Sequence, residues 1–414
     1  MIAQSTYDAI AAIYREKRSS VLATLIRLLG SVELAEEAMQ DAFSVALAQW
    51  PLGGVPVNPS SWLISTGRHK AIDALRRNSR GEQVHMLAAL EAATSLNPEP
   101  EIDHPDYPDD RLRLIFTCCH PALALEAQIA LTLQTLGGLT TPQIAHAFLI
   151  PLPTVAQRIV RAKAKIRDAR IPYRVPPPAE LHGRLEAVML VLYLIFNQGN
   201  NACLPCELPD LAAEAIALTR NLRLLLPSEP EIDGLLALML LHHARRDARL
   251  TRDGDLILLD RQDRALWDRV AIEEGLGLVE SALRNGLPSP YSIQAAIAAV
   301  HASAADANST DWPQIVGLYD VLLLLDPSPV IALNRAVAVA MAQGPAAGLD
   351  LLDDQALSTP LATYSFFHSA RGDLHRRLGQ WSASAASYRE ALTCATNDAD
   401  RRFLANRLAE IEHT

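Results

Sequence analysis

The chain has 414 residues, half of them hydrophobic. At about 150 residues per domain this predicts two or three domains with real cores and excludes a largely disordered chain. No apolar run approaches the roughly 18 residues that span a bilayer, and MIAQSTYDAI at the N-terminus has neither a basic region nor an apolar core. Five cysteines in this length make no disulfide framework, so a cytoplasmic protein is expected. Only 5% of residues are aromatic while Ala and Leu abound, which predicts an all-α fold. The net charge of −10 is unevenly placed: residues 1–80 carry +2, 81–110 carry −8, 111–140 carry +1, 141–175 carry +6, and 176–414 carry −11. A compact basic segment inside an acidic chain is the footprint that phosphate contact requires.

In chain order, a helix through Ser20–Leu29 should end at Gly30, and Ser31 should cap the next helix with Glu33 in its first turn. That second helix contains AEEAMQDAF (35–43) and is expected to end near Trp50. PLGGVPVNP (51–59) then reads as a loop whose Asn58 and Pro59 open a third helix. At 100° per residue, Trp62, Thr66, His69, Lys70, Asp73, Arg76 and Arg77 share one face of it, opposite Ile64, Ala71 and Leu75. One side suits packing and the other a polar or anionic partner. Residues 81–110 hold eight acids with Pro98, Pro100, Pro105 and Pro108 and read as an extended linker.

The block 111–172 closes on a helix–turn–helix pattern. Thr141–Pro142 caps a short helix to Phe148, Leu149–Pro151 makes the turn, and Pro153 opens a helix to about Arg167. Val155, Ile159, Ala162 and Ile166 form its apolar arc. Thr154, Gln157, Arg158, Arg161 and Lys165 lie roughly opposite, with side chains able to donate to phosphates and base edges. The plainer reading of that face is a solvated amphipathic helix, but the turn, the caps and the charge agree on DNA. Four prolines within Ile171–Pro178 make a joint that no helix can cross. From residue 180 to 414 helix follows helix. Gly372, Gly379, Ser384, Tyr388 and Ala391, with Tyr319, Leu322 and Pro327, fit the spacing of a tetratricopeptide-like solenoid.

Several residues invite other chemistry. Cys118–Cys119–His120 and Cys203-x-x-Cys206 suggest zinc or a redox pair, but adjacent cysteines chelate one tetrahedral ion poorly and the two groups lie in different blocks. The first pair is better read as small buried hydrophobes at the start of a helix. Asp253-x-Asp255 lacks the spaced acids of a calcium loop, and His242–His243 within an apolar helix reads as structural. No metal and no cofactor is expected. No phosphate loop, nucleophile elbow or catalytic carboxylate pair stands out, so no enzyme is expected either.

The motifs AEEAMQDAF (35–43), NPSSWLISTGRHKAIDALRR (58–77) and LTTPQIAHAFLIPLPTVAQRIVRAKAKIR (139–167) resemble, in order, regions 2 and 4 of bacterial extracytoplasmic-function sigma factors. RLRLIFTCCHPAL (111–123) and DGDLILLDRQDRALWD (253–268) resemble the group of these factors that carries a tetratricopeptide-like extension. The resemblance implies a region 2 helical bundle over 1–80, the linker over 81–110, a region 4 helix–turn–helix over 111–172 and a regulatory helical extension over 180–414. It implies that Glu36, Glu37, Gln40 and Asp41 are exposed and bind core RNA polymerase. Trp62, Thr66, His69, Lys70, Arg76 and Arg77, with the 51–59 loop, would recognise and open the −10 element of promoter DNA. Thr154, Gln157, Arg158, Arg161 and Lys165 would read the −35 element, and Asp73 would partner a nearby base. The charges, by contrast, suggest regulation in cis: a −11 helical block is tethered to the +6 segment through the joint at Ile171–Pro178, and Asp253, Asp255, Asp263, Arg264, Trp267 and Asp268 would regulate through an intramolecular contact with the sigma core in which Trp267 is the anchor; the plainer reading puts Trp267 in the core of its own domain. One departure from the group is Asn197-Gln198-Gly199-Asn200, where the group has an Asn-Glu-Gly-Tyr string. The alternatives are a helix–turn–helix regulator that senses a ligand or peptide without polymerase, or a scaffold built on the solenoid. The second, DNA-facing helix behind AEEAMQDAF argues against both.

Overall fold

Helix α1 (Ile2–Leu29) stops at Gly30, whose φ of 70° suits glycine and whose N–H returns to the Ile26 carbonyl. Ser31 caps α2 (Val32–Gly53) by accepting from the Leu34 N–H at 3.3 Å. Helix α2 runs through Pro51 instead of ending at Trp50, because Trp50 is buried and the Gly54 N–H still reaches its carbonyl. Asn58 opens α3 (Pro59–Asn78), its side chain accepting from the Ser61 N–H at 3.2 Å. The three helices pack as a bundle. A Cβ on Gly67 of α3 would stand 2.9 Å from the Ala38 carbonyl oxygen of α2, so glycine sets that close crossing.

The structure is a computed structural model and describes residues 2–78, 107–148, 150–201, 210–251, 255–395 and 398–412. Most of the expected linker, with Leu149, Cys203, Cys206 and Asp253, lies outside them. The last residues of that expected linker are already helical. Helix α4 (Tyr107–Cys118) packs on α1 and is followed by α5 (Leu125–Thr135), α6 (Thr141–Ala147) and α7 (Leu152–Asp168). The cap of α6 is Thr140, not Thr141: its N–H and hydroxyl both donate to Gln143 Oε1, at 2.8 and 2.9 Å. Cys118 and Cys119 lie at the end of α4, not at the start of a helix. They are buried against Thr135 and Thr132, and burial pushes the Cys119 thiol up to about 12 and Cys118 higher still. Such thiols stay protonated and unreactive.

After the proline joint come α8 (Pro178–Asn201) and α9 (Leu211–Leu225). Both pack on α4, and α8 also packs on α5. The chain therefore divides into compact units at Met1–Leu225 and Leu226–Thr414, beyond the joint. The second unit contains α10 (Pro230–His243), three short 3₁₀ turns, α11 (Arg269–Asn285), α12 (Pro290–Ser303), α13 (Trp312–Leu325), α14 (Pro329–Gln343), α15 (Pro345–Leu352), α16 (Gln355–Ser358), α17 (Ser365–Arg377), α18 (Trp381–Cys394) and α19 (Asp398–Glu412). From α12 to α15 and from α17 to α19 each helix packs on its successor. Tyr388 of α18 closes on Gly372 of α17, where a Cβ would meet its ring at 3.1 Å, and the buried Ser384 hydroxyl donates to the Gly372 carbonyl at 2.7 Å. Among the described residues all regular structure is helical, apart from one β-bridge between Leu250 and Leu256.

Candidate nucleic-acid interface

Helix α2 buries Ala35, Ala38, Met39, Ala42 and Phe43 and so turns Glu37, Gln40 and Asp41 to solvent. Glu36 departs from expectation. Its side chain is 20% exposed, and both its carboxylate oxygens accept from Lys163 Nζ of α7, at 2.8 and 2.7 Å. Arg167 of α7 approaches Glu33 to 3.6 Å beside it. The helix expected to bind polymerase and the helix expected to read DNA are thus pinned together.

Other groups tie the same elements. Arg27 of α1 meets the buried Asp110 of α4 at 2.8 Å. The Tyr173 hydroxyl lies 2.9 Å from the carbonyl oxygens of Ala23 and Asp110, and it donates to one at a time. Arg18 Nη1 donates to the carbonyls of Gln134 and Thr135 at 2.8 and 3.3 Å, which helps to end α5.

On α3, His69, Lys70, Asp73, Arg76 and Arg77 are exposed, as the periodicity predicts. Thr66 is half-buried. Trp62 is also half-buried, packing edge-on against Trp50 with ring centroids 5.2 Å apart, so it belongs to the rim of the polar face. Asp73 pairs within its helix, 3.8 Å from Arg76. Sequence reasoning passed over Arg68, which is buried; its spacing from Ile64 and Ala71 puts it on the apolar stripe. Ahead of α3, Leu52, Val55 and Val57 project into solvent.

Helix α7 buries Val155, Ile159 and Ala162 and exposes Gln157, Arg161 and Lys165, with Thr154, Arg158 and Ile166 half-buried. Among the described residues, Arg158, Arg161 and Lys165 form no ion pair. Helix α8 buttresses this part. Gln198 donates to the Ala147 carbonyl at the end of α6, and Arg184 donates to the Phe116 carbonyl of α4 with its guanidinium over the Phe116 ring. Glu214 of α9 faces Arg111 of α4. Burial raises the Glu214 carboxyl to about 6 although Arg111 pulls it down.

The expected regulatory residues are placed mainly inside their own unit. Trp267 is 3% exposed, which removes it as an anchor for another surface. Asp263 caps a 3₁₀ turn through the Ala265 N–H, and Asp268 caps α11 through the N–H groups of Val270 and Ala271. Asp255 pairs with Arg402 at 3.1 Å. Arg264 donates to the carbonyls of His301 and Ala304 at 2.8 and 2.6 Å.

Residues 13–81 match Sigma-70 region 2, residues 113–166 match Sigma-70 region 4, and residues 184–283 match a family of unknown function, DUF6596. An uncharacterized protein of Rhizobium meliloti (strain 1021) is 42% identical over 392 residues, 94% of this chain and 92% of that protein. The probable ECF RNA polymerase sigma factor SigI of Mycobacterium tuberculosis is 27% identical over 42% of this chain and 59% of its own length. The ECF RNA polymerase sigma factor SigK of Mycobacterium sp. (strain KMS) is 26% identical over 38% of this chain and 81% of its own length. No solved structure matches the chain. Two sigma regions in the expected order, with a helical continuation behind them, leave the plain regulator without support: the chain belongs to the extracytoplasmic-function sigma factors that carry a C-terminal extension.

Proposed function

We propose that this alternative sigma factor binds core RNA polymerase through Glu37, Gln40 and Asp41 of α2, with Glu36 joining once Lys163 lets go. On this reading α3 and the segment before it recognise and open the −10 element, and α7 reads the −35 element. The observation that carries it is the row Gln157, Arg158, Arg161 and Lys165 on the second helix of a helix–turn–helix, cationic and without ion-pair partners among the described residues. Arginine forks suit guanine edges, glutamine suits adenine, and lysine suits phosphate. Leu52, Val55 and Val57 offer apolar contacts to bases that have left the stack, and Lys70, Arg76 and Arg77 follow the backbone beside them. The protein acts by binding, in the cytoplasm, and the solenoid-like helices from α10 onward modulate it.

The test is transcription from a cognate promoter with core polymerase. Asp41→Lys or Glu37→Lys weakens polymerase binding and leaves −35 DNA binding intact. Arg158→Ala or Arg161→Ala costs roughly 1–3 kcal/mol on the cognate element. Lys165→Ala weakens all sequences alike and lowers the salt slope by about one. Equal losses on cognate and random DNA for all three would reduce this face to a positioning role. A chain ending at Leu225 that transcribes like the full one under every condition would remove regulation by the extension.

A further inference from the structure

The signature DRQDRALWD (260–268) gathers an arrangement that promoter recognition does not use. Two guanidiniums lie on the buried Trp267 ring, Arg264 at 4.5 Å and Arg245 at 5.9 Å from its centroid. Arg245 comes from the end of α10, and its Nη2 is 3.0 Å from His242 Nδ1. Burial and the neighbouring arginines push His242 down to about 3 and His301 to about 4, so both imidazoles are neutral and His242 accepts from Arg245.

No carboxylate pairs with Arg245 among the described residues. The acid near Arg264 is Asp306, which is exposed and holds the Ser309 N–H at 2.8 Å. The Trp267 indole N–H is buried with no acceptor. Arg264 already gives Nη1 to the His301 and Ala304 carbonyls, but among the described residues Arg245 has no carboxylate partner and the indole N–H no acceptor, so the pair carries more positive charge than its surroundings compensate. Cation–π contact, one imidazole and the two carbonyls on Arg264 offset only part of the cost of withdrawing two guanidiniums from water, since none of them carries negative charge. An anion with several oxygens supplies what is missing, since each arginine presents a planar fork that matches it and two forks match a double charge.

We propose that the Trp267 cluster binds a small phosphate-bearing anion held by Arg245 and Arg264. This goes beyond the promoter-binding reading, and its test does not pass through transcription. Inorganic phosphate is titrated calorimetrically into the full chain, with succinate as a dianion of different geometry. Saturable binding of phosphate is expected, with succinate weaker. Arg245→Met and Arg264→Met should each weaken it about tenfold or more, and Arg245→Lys, which keeps the charge and loses the fork, by less. Arg284→Met, an exposed cation that pairs with Glu280, should leave it unchanged. Circular dichroism confirms that each variant folds, and Arg245→Lys carries the test if Arg245→Met does not. The proposal is overturned if phosphate does not saturate, if succinate binds as tightly, or if folded Arg245 and Arg264 variants bind like the parent.

Discussion

Lys163 and Glu36 stand 127 residues apart in the chain, yet among the described residues they join the region 2 and region 4 parts of the sigma unit at 2.8 and 2.7 Å. Their side chains are only 12% and 20% exposed, so either group left alone is a partly desolvated charge. Lys163→Ala should therefore lower stability by about 1–3 kcal/mol in chemical denaturation. It should at the same time tighten binding to core polymerase, because it releases Glu36 on the helix proposed to meet polymerase. Lower stability with unchanged polymerase affinity would mean that Glu36 takes no part in that surface. The family resemblance of AEEAMQDAF implied that Glu36, Glu37, Gln40 and Asp41 are exposed, and three of the four are. It could not show Glu36 turning inward, since Lys163 falls between the apolar and polar arcs of α7 and nothing local names its partner.

Among the elements, those fixed by local chemistry were legible in advance: Gly30, Ser31 and Asn58 end or begin helices as their residue types require. Helix α8 was legible as a helix, but its attachment was not, because which apolar stripe meets which is decided by tertiary packing. The Gln198-Gly199 pair now has a physical reading. A Cβ on Gly199 would collide with the Ala212 nitrogen of α9, and Gln198 donates to the last carbonyl of α6. An ionised glutamate at that point could only accept. Gln198→Glu should thus cost about 1–3 kcal/mol, since it orphans that carbonyl and sets a negative charge at a helix C-terminus. Faster amide exchange in α6 and weaker −35 binding would report it; unaltered exchange would show the hydrogen bond to be idle.

Across the whole molecule the two units should respond to pH in opposite senses. Glu214 has its folded value raised from 4.5 to about 6, so its contribution in the first unit is full below pH 4.5 and is lost as pH rises through 6. Water screens this half-buried group, and the effect is on the order of 1–2 kcal/mol. His242 and His301 have folded values lowered from 6.5 to about 3 and about 4, so the second unit keeps their contribution above pH 6.5 and loses it on acidification. Calorimetric melting between pH 4.5 and 8 should show the first unit softening toward alkali and the second toward acid. Glu214→Gln should flatten the first trend and His301→Gln part of the second. Trends of the same sign, or slopes that survive both substitutions, would place the titrating groups elsewhere.

The boundary at Leu225 bears on how such factors can be recombined. A cut at the prolines looks natural in the sequence, yet it strips α4 and α5 of the two helices that cover them and leaves the α6 carbonyl without its donor. A graft that transplants promoter choice from this chain into another sigma factor should therefore carry residues 107–225 as one piece. A graft ending at residue 172 would expose apolar surface and should aggregate, whatever its recognition helix can read.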